Sequence, residues 1–410
     1  MSTLQIIALL VTLAAFFSYI NYRFIKLPTT IGLLLISLFI SLGIIFTGKF
    51  GLPMEDMAKD LLAQIDFNQT LMQGMLSALL FAGALHVHLD ELKKQRWVVA
   101  VLASVGVITS TVIIGFSAYF IFPLLGLDIP FIYCLVFGSL ISPTDPIAVI
   151  GILKTIGAPK SLETKIAGES LFNDGVAVVV FLALLGIAVG GSEHGEVTTA
   201  SIAWLFVQEA IGGAIFGLVI GYIVYLLLSS IDNYQVEILL TLALVFGGYS
   251  LASALHLSGP IAIVVAGLMI GNSGRQLAMS DKTREHLDNF WELIDEVLNA
   301  MLFVLIGLEV LVLTFNTQYL LAGLIMIPVV LLIRFISVGI PVSIMKLRKT
   351  FTPKIIRILT WGGLRGGISI ALVLTLPVGE HREALLVITY IIVIFSILVQ
   401  GLTVGKLVKN

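Results

Sequence analysis

The sequence predicts an all-α polytopic membrane protein with about thirteen transmembrane helices, built as an inverted repeat around two crossing broken helices. Three observations carry that prediction. Hydrophobic residues make up 58% of the chain and charged residues only 12%, with a mean hydropathy of +1.08. Apolar runs of roughly 20 residues recur from end to end, each long enough to cross a bilayer. The basic residues between those runs sort onto alternate loops. Such a chain buries its surface by packing helices in lipid rather than around one aqueous core. A net charge of −2 argues against a nucleic-acid partner. The single cysteine, Cys134, lies inside an apolar run, which excludes a disulfide framework and a cysteine metal site.

Taken in order, the runs are 4–22, 28–47, 66–86, 98–123, 130–154, 164–189, 202–229, 235–255, 257–272, 290–314, 318–343, 354–377 and 384–406. Met1–Gln5 lacks the basic region of a signal peptide, so the first run is expected to be retained as a helix. The longest connections are 48–65, 190–201 and 273–289, none long enough for a soluble domain. Basic residues follow the odd-numbered runs: Arg23 and Lys26; Lys93, Lys94 and Arg96; Lys160; Arg275, Lys282 and Arg284; Lys346, Arg348, Lys349 and Lys354; Lys406 and Lys409. After even-numbered runs come only Lys49, Lys59 and Arg382. The positive-inside rule then sets the N-terminus outside and the C-terminus in the cytoplasm, in a cell (inner) membrane.

Two runs are interrupted. The fifth carries Ser142-Pro143-Thr144-Asp145-Pro146, where two prolines remove backbone donors and disfavour continuous helix. The break lies about 12 residues, or roughly 18 Å, from Pro130, near the midplane of a ~30 Å hydrocarbon core. The twelfth run carries Trp361-Gly362-Gly363-Leu364-Arg365-Gly366-Gly367 at a similar depth. The breaks are seven runs apart and their runs point in opposite directions. That is the layout of an inverted repeat of runs 1–6 and 8–13 with the seventh as connector. Interrupted helices at corresponding positions mark a transporter's binding site.

Between the breaks, the sixth run holds Gly168-Glu169-Ser170-Leu171-Phe172-Asn173-Asp174-Gly175. Ionisable groups at membrane depth are costly and usually functional. Ser170 and Asp174 are four apart and share a helix face, while Glu169 and Asn173 share its neighbour. Carboxylate, hydroxyl and freed carbonyl oxygens from Asp174, Ser170, Thr144 and Asp145 suit Na⁺ or Li⁺, and no His/Cys cluster suggests a transition metal. Asp145 also reads as the N-cap of the second half-helix. Arg365 is expected beside half-helix carbonyl ends, paired with Glu169. Glu169, Asn173 and Arg365 are therefore assigned to support of the site. Glu309 and Arg334, on consecutive runs, are expected to pair. Asp295 and Glu296 lie near the cytoplasmic mouth and could attract cations. His86 and His88 read as a solvated loop end.

These motifs resemble the sodium/proton antiporters of the cation–proton antiporter superfamily. Asn173-Asp174, with a single aspartate, resembles the NhaP-type electroneutral branch. The resemblance implies a homodimer in the lipid bilayer and no enzymatic activity, cofactor or organic substrate. It implies core helices at 98–190 and 317–410 that rock against dimerisation-side helices at 1–97 and 191–316. It also implies that Asp174 binds the ion, with Ser170, Thr144 and Asp145 contributing. Some relatives carry an acidic ligand in the third run, where this chain reads Phe81-Ala82-Gly83-Ala84. The function this points to is exchange of Na⁺ or Li⁺ for H⁺. The alternatives are a K⁺/H⁺ antiporter, a sodium-coupled solute symporter, and an intramembrane aspartyl protease using Asp145 and Asp174.

Overall fold

A computed structural model describes residues 3–48, 50, 54–62, 75–87, 89–155, 157, 160–189, 207–274, 279–314, 316–347, 351 and 353–409. Residues 66–74 and 202–206 of the third and seventh runs, with Lys49, His88, Arg275, Arg348 and Lys349, lie outside them. Within the described residues every apolar run is helical and no strand forms. Among the described residues, eight helices are long and apolar enough to span a membrane unaided.

The first four runs are α1 (Thr3–Ile20), α2 (Thr29–Gly48), α4 (Leu76–Leu85) and the continuous pair α5 (Leu89–Val101) and α6 (Val107–Leu124), joined through a π-helical turn. The sequence reading missed α3 (Met54–Leu62), a short charged helix between α2 and α4. It also began the fourth run too late: the segment holding Lys93, Lys94 and Arg96 is helix, not loop. Hydropathy marks where a helix enters hydrocarbon, not where it starts.

The fifth run is split into α7 (Phe131–Ile141) and α8 (Ile147–Thr155), and α9 (Lys160–Val189) follows it unbroken. The second half comprises α10 (Gly213–Ser229), α11 (Tyr234–Ala254), α12 (Gly259–Met269), α13 (Asp281–Glu309), α14 (Thr317–Met345), α15 (Ile355–Trp361), α16 (Gly367–Leu374), α17 (Glu380–Phe395) and α18 (Gly401–Lys409). Polar side chains start several of these helices. Asn233, Ser280 and Asn316 each accept a hydrogen bond from a backbone N–H of the following turn.

Packing separates the helices into groups. The ring of Trp291 on α13 tilts against Phe81 of α4 at 4.7 Å and donates its N–H to Thr241 of α11 at 3.0 Å. On the other side, α6, α7, α14 and α17 share one apolar cluster around Phe122, Phe137, Met326 and Leu385. Joining the groups, α13 packs along α2, where the Ser41 hydroxyl donates to the Gly307 carbonyl at 2.9 Å. α13 also meets the second break, since a Cβ on Gly367 would press on Leu302.

Candidate functional site

The two breaks cross each other. Pro143–Pro146 and Gly363–Gly366 leave the helical conformation, and the Asp145 N–H donates to the Leu364 carbonyl at 2.8 Å in an antiparallel bridge. This satisfies backbone groups that the prolines and glycines withdrew from the helices.

The helix after each break holds it with a hydroxyl and an amide. On α9, the Asn173 side chain accepts from the Thr144 N–H at 3.3 Å and donates to the Thr144 hydroxyl at 2.8 Å. The Ser170 hydroxyl lies 3.1 Å from the Thr144 hydroxyl. At the second break, the Ser396 hydroxyl accepts from the Arg365 N–H at 2.9 Å, and the Gln400 amide donates to the Trp361 carbonyl at 2.9 Å. Ser396 and Gln400 bound a π-helical turn, Ser396–Gln400, that joins α17 to α18. The two halves are thus built alike, but the first alone places a carboxylate, Asp174, one turn beyond its serine.

Asp174 is 7% exposed. It lines a cavity of about 1290 Å³ together with Thr144, Asp145, Asp295, Asn299 and Gly366. The cavity lies between α4 and α13 on one side and α8, α9 and α16 on the other, and it reaches the face that carries Lys26, Glu163 and Asp288. Asp145 interacts electrostatically with Asp174. A Cβ on Gly366 would strike the Asp145 carboxylate, so only glycine admits the acid here. Gly366 is the N-cap of α16. The charge of Asp145 therefore sits at the positive end of the crossing half-helix, in addition to preceding its own.

The charged support differs from the sequence reading. Glu169 pairs with Arg334 of α14, Oε1 to Nη2 at 2.6 Å, and both side chains are buried. Arg334 is therefore not the partner of Glu309. Arg365, expected on Glu169, instead donates Nη1 to the Ser142 carbonyl and to the Pro143 carbonyl, the latter at 2.8 Å. It remains within electrostatic range of Glu169. The guanidinium fills the carbonyl end of α7, where unsatisfied acceptors and the negative end of the helix coincide. Gly363 makes room for Arg334, whose Nε would lie 2.8 Å from a Cβ there. Sequence spacing gives no sign of this, because Arg334 on the eleventh run is five runs away from Glu169 on the sixth.

In α4, Ala82 is buried in the apolar cluster with Phe81 and Trp291, and Gly83 faces the cavity. That helix contributes no carboxylate among its described residues. The acids opposite Asp174 come instead from α13, whose Asp295 and Glu296 line the cavity itself.

Comparison with known proteins follows the same architecture. The family profile described as "Sodium/hydrogen exchanger, transmembrane" matches residues 11–410. The chain is 52% identical to the Na(+)/H(+) antiporter NhaP of Pseudomonas aeruginosa, over 99% of this chain and 96% of that one. It is 35% identical to the Na(+)/H(+) antiporter NhaH of Halobacillus dabanensis, over 95% and 93% of the two chains. Among solved structures, the fold matches the sodium proton antiporter MjNhaP1 of Methanocaldococcus jannaschii with a TM-score of 0.75 at 20% identity, covering 99% of this chain and 98% of that one.

Proposed function

We propose that this chain, which belongs to the sodium/hydrogen exchanger family, exchanges Na⁺ for H⁺ across the membrane at one carboxylate, Asp174. The observation that carries the reading is a nearly buried aspartate one turn from Ser170, whose hydroxyl meets that of Thr144 at the crossing of the broken helices, lining the same cavity as Thr144. The hydroxyls of Thr144 and Ser170 and the carboxylates of Asp174 and Asp145 supply hard oxygen ligands for Na⁺ or Li⁺. Asn173, Glu169 and Arg365 hold the breaks in place. A carboxylate left charged and unpaired in low dielectric is costly. The site therefore crosses the membrane holding either a cation or a proton, and each displaces the other. Relatives described as Na(+)/H(+) antiporters favour this reading over a K⁺/H⁺ antiporter, a solute symporter or a protease.

Asn173 adds no second titrating group, so one Na⁺ exchanges for one H⁺ while Asp145 stays ionised. In proteoliposomes, the exchange rate should then ignore an imposed membrane potential. The half-saturating Na⁺ concentration should rise as pH falls, because protons compete for the same carboxylate. Potential-dependent rates would count against one-for-one exchange and bring in Asp145 as a second proton carrier.

The cavity divides the helices of 98–190 and 317–410 from those of 1–97 and 191–316, which fits a core rocking against a dimerisation side in a homodimer. The distribution of basic residues sets the cavity mouth, with Lys26, in the cytoplasm of a cell-membrane protein whose N-terminus is outside. A cysteine introduced at Leu347, which is exposed in the turn after α14, should react with an impermeant label only from inside, and one at Val378, exposed between α16 and α17, only from outside. Cys134 is buried and should stay silent. The reverse labelling pattern overturns the orientation.

A further inference from the structure

One face of α13 runs the length of the cavity. Asp288, Glu292, Asp295, Asn299 and Leu302 recur at four- and three-residue spacing, and all five line it. Leu302 abuts Gly367 at the crossing of the breaks, so Asn299 lies one turn short of that crossing and Asp295 two turns short.

Asn299 is 3% exposed, yet neither its amide oxygen nor its amide nitrogen makes a hydrogen bond of normal geometry, although the amide lies close to the Asp295 carboxylate. A buried amide without partners costs free energy that native structures rarely leave unspent. Across the cavity, the hydroxyl of Ser369 on α16 is likewise buried and unpartnered. Asp145 connects the two walls electrostatically, interacting with Asp174 on one side and with Asp295 on the other.

We propose that Asp295 and Asn299 form a second alkali-cation site on the α13 wall, which an entering Na⁺ occupies before it passes to Asp174. The carboxylate of Asp295 supplies charge and the amide oxygen of Asn299 a neutral ligand, the same combination of charged and neutral oxygens proposed above for Asp174 with Thr144 and Ser170. Where α4 offers the cavity Leu76, Leu79, Leu80 and Gly83 but no carboxylate, α13 thus provides the acidic ligand from the wall facing Asp174. The proposal rests on Asp174 being the exchange site, since a staging site needs a destination.

The test is transport by the full-length protein in proteoliposomes with Na⁺ added on the cavity side. Asp295→Asn and Asn299→Ala should each raise the half-saturating Na⁺ concentration about tenfold. The maximal rate should stay within about twofold, because the exchange site is intact. Na⁺ added on the opposite side should show an unchanged half-saturation. The shift should survive roughly 0.5 M choline chloride, where screening removes a diffuse field but not direct coordination. Asp295→Glu, which keeps the charge, should recover most of the affinity, and Glu296→Gln should shift it far less than Asp295→Asn does. Unchanged half-saturation in both Asp295→Asn and Asn299→Ala overturns the proposal. So does a shift that disappears in choline chloride, or one that is equal from both sides. If one variant fails to fold, the other carries the same expectation alone. Asp174→Asn, run in parallel, separates the two readings. Exchange by Asp174→Asn defeats the assignment of the exchange site, whereas a dead Asp174→Asn with wild-type affinity in the α13 variants defeats only the second site.

Discussion

Asp174→Asn is expected to reduce Na⁺-dependent proton flux in proteoliposomes to the level of empty vesicles, with the melting temperature in detergent within a few degrees of wild type. The amide keeps the volume and polarity of the carboxylate. It can neither bind a proton nor neutralise a cation. Asp174 lines the cavity with Thr144 and lies one turn beyond Ser170, so the substitution should remove the carboxylate for which both transported ions compete. The Thr144–Asn173 hydrogen bonds do not involve Asp174, so the crossing of the breaks should persist. Robust exchange by this variant would remove the basis for the whole mechanism. An inactive variant with an unaltered melting temperature is the result that supports it.

Arg334→Ala should have the largest effect on stability. Its guanidinium is buried against Glu169 at 2.6 Å and also donates to the Leu359 carbonyl at 3.4 Å. Truncation leaves the Glu169 carboxylate charged and without its ion-pair partner, a loss on the order of 3–5 kcal/mol. Arg365 is within electrostatic range of Glu169 but is committed to the carbonyls of Ser142 and Pro143, so it is poorly placed to substitute. Unfolding in detergent should begin several degrees lower, with transport falling in proportion to folded protein. The double variant Glu169→Gln with Arg334→Met removes both charges and should recover much of the loss, since an uncharged pair of similar volume leaves nothing uncompensated. A single Arg334→Ala variant as stable as wild type, with transport abolished, would move Arg334 from support into the ion path.

The same residues mark the limit of what could be read from the chain. Thr144, Ser170, Asn173 and Asp174 lie on two consecutive spans with a known helical period. Their mutual approach follows once the break at Pro143–Pro146 is recognised. The partner of Glu169 does not follow. Glu169 could meet an arginine on the twelfth span or on the eleventh, and both are buried near it. Which one pairs depends on where α14 crosses α9 and on the space Gly363 leaves. Arg365 was legible as a cation beside helix ends but not as the ligand of two particular carbonyls, because those carbonyls are created by the geometry of the break. Asn299 went unread because an asparagine in an apolar helix carries no signal until its lack of partners is seen.

By itself the sequence determined the membrane class, the helical runs, the two interruptions and the presence of a candidate acid, Asp174, on the run that follows the first of them. These depend on local quantities: hydropathy over about 20 residues, proline's missing N–H, and the 3.6-residue period that aligns Ser170 with Asp174. Only the tertiary structure decided that the breaks join at Asp145 and Leu364, that Arg334 neutralises Glu169, and that α13 rather than α4 faces Asp174 with acids. The physical reason is that ion pairing and cavity shape depend on distances between segments far apart in the chain. In low dielectric those distances decide which charges can be held at all.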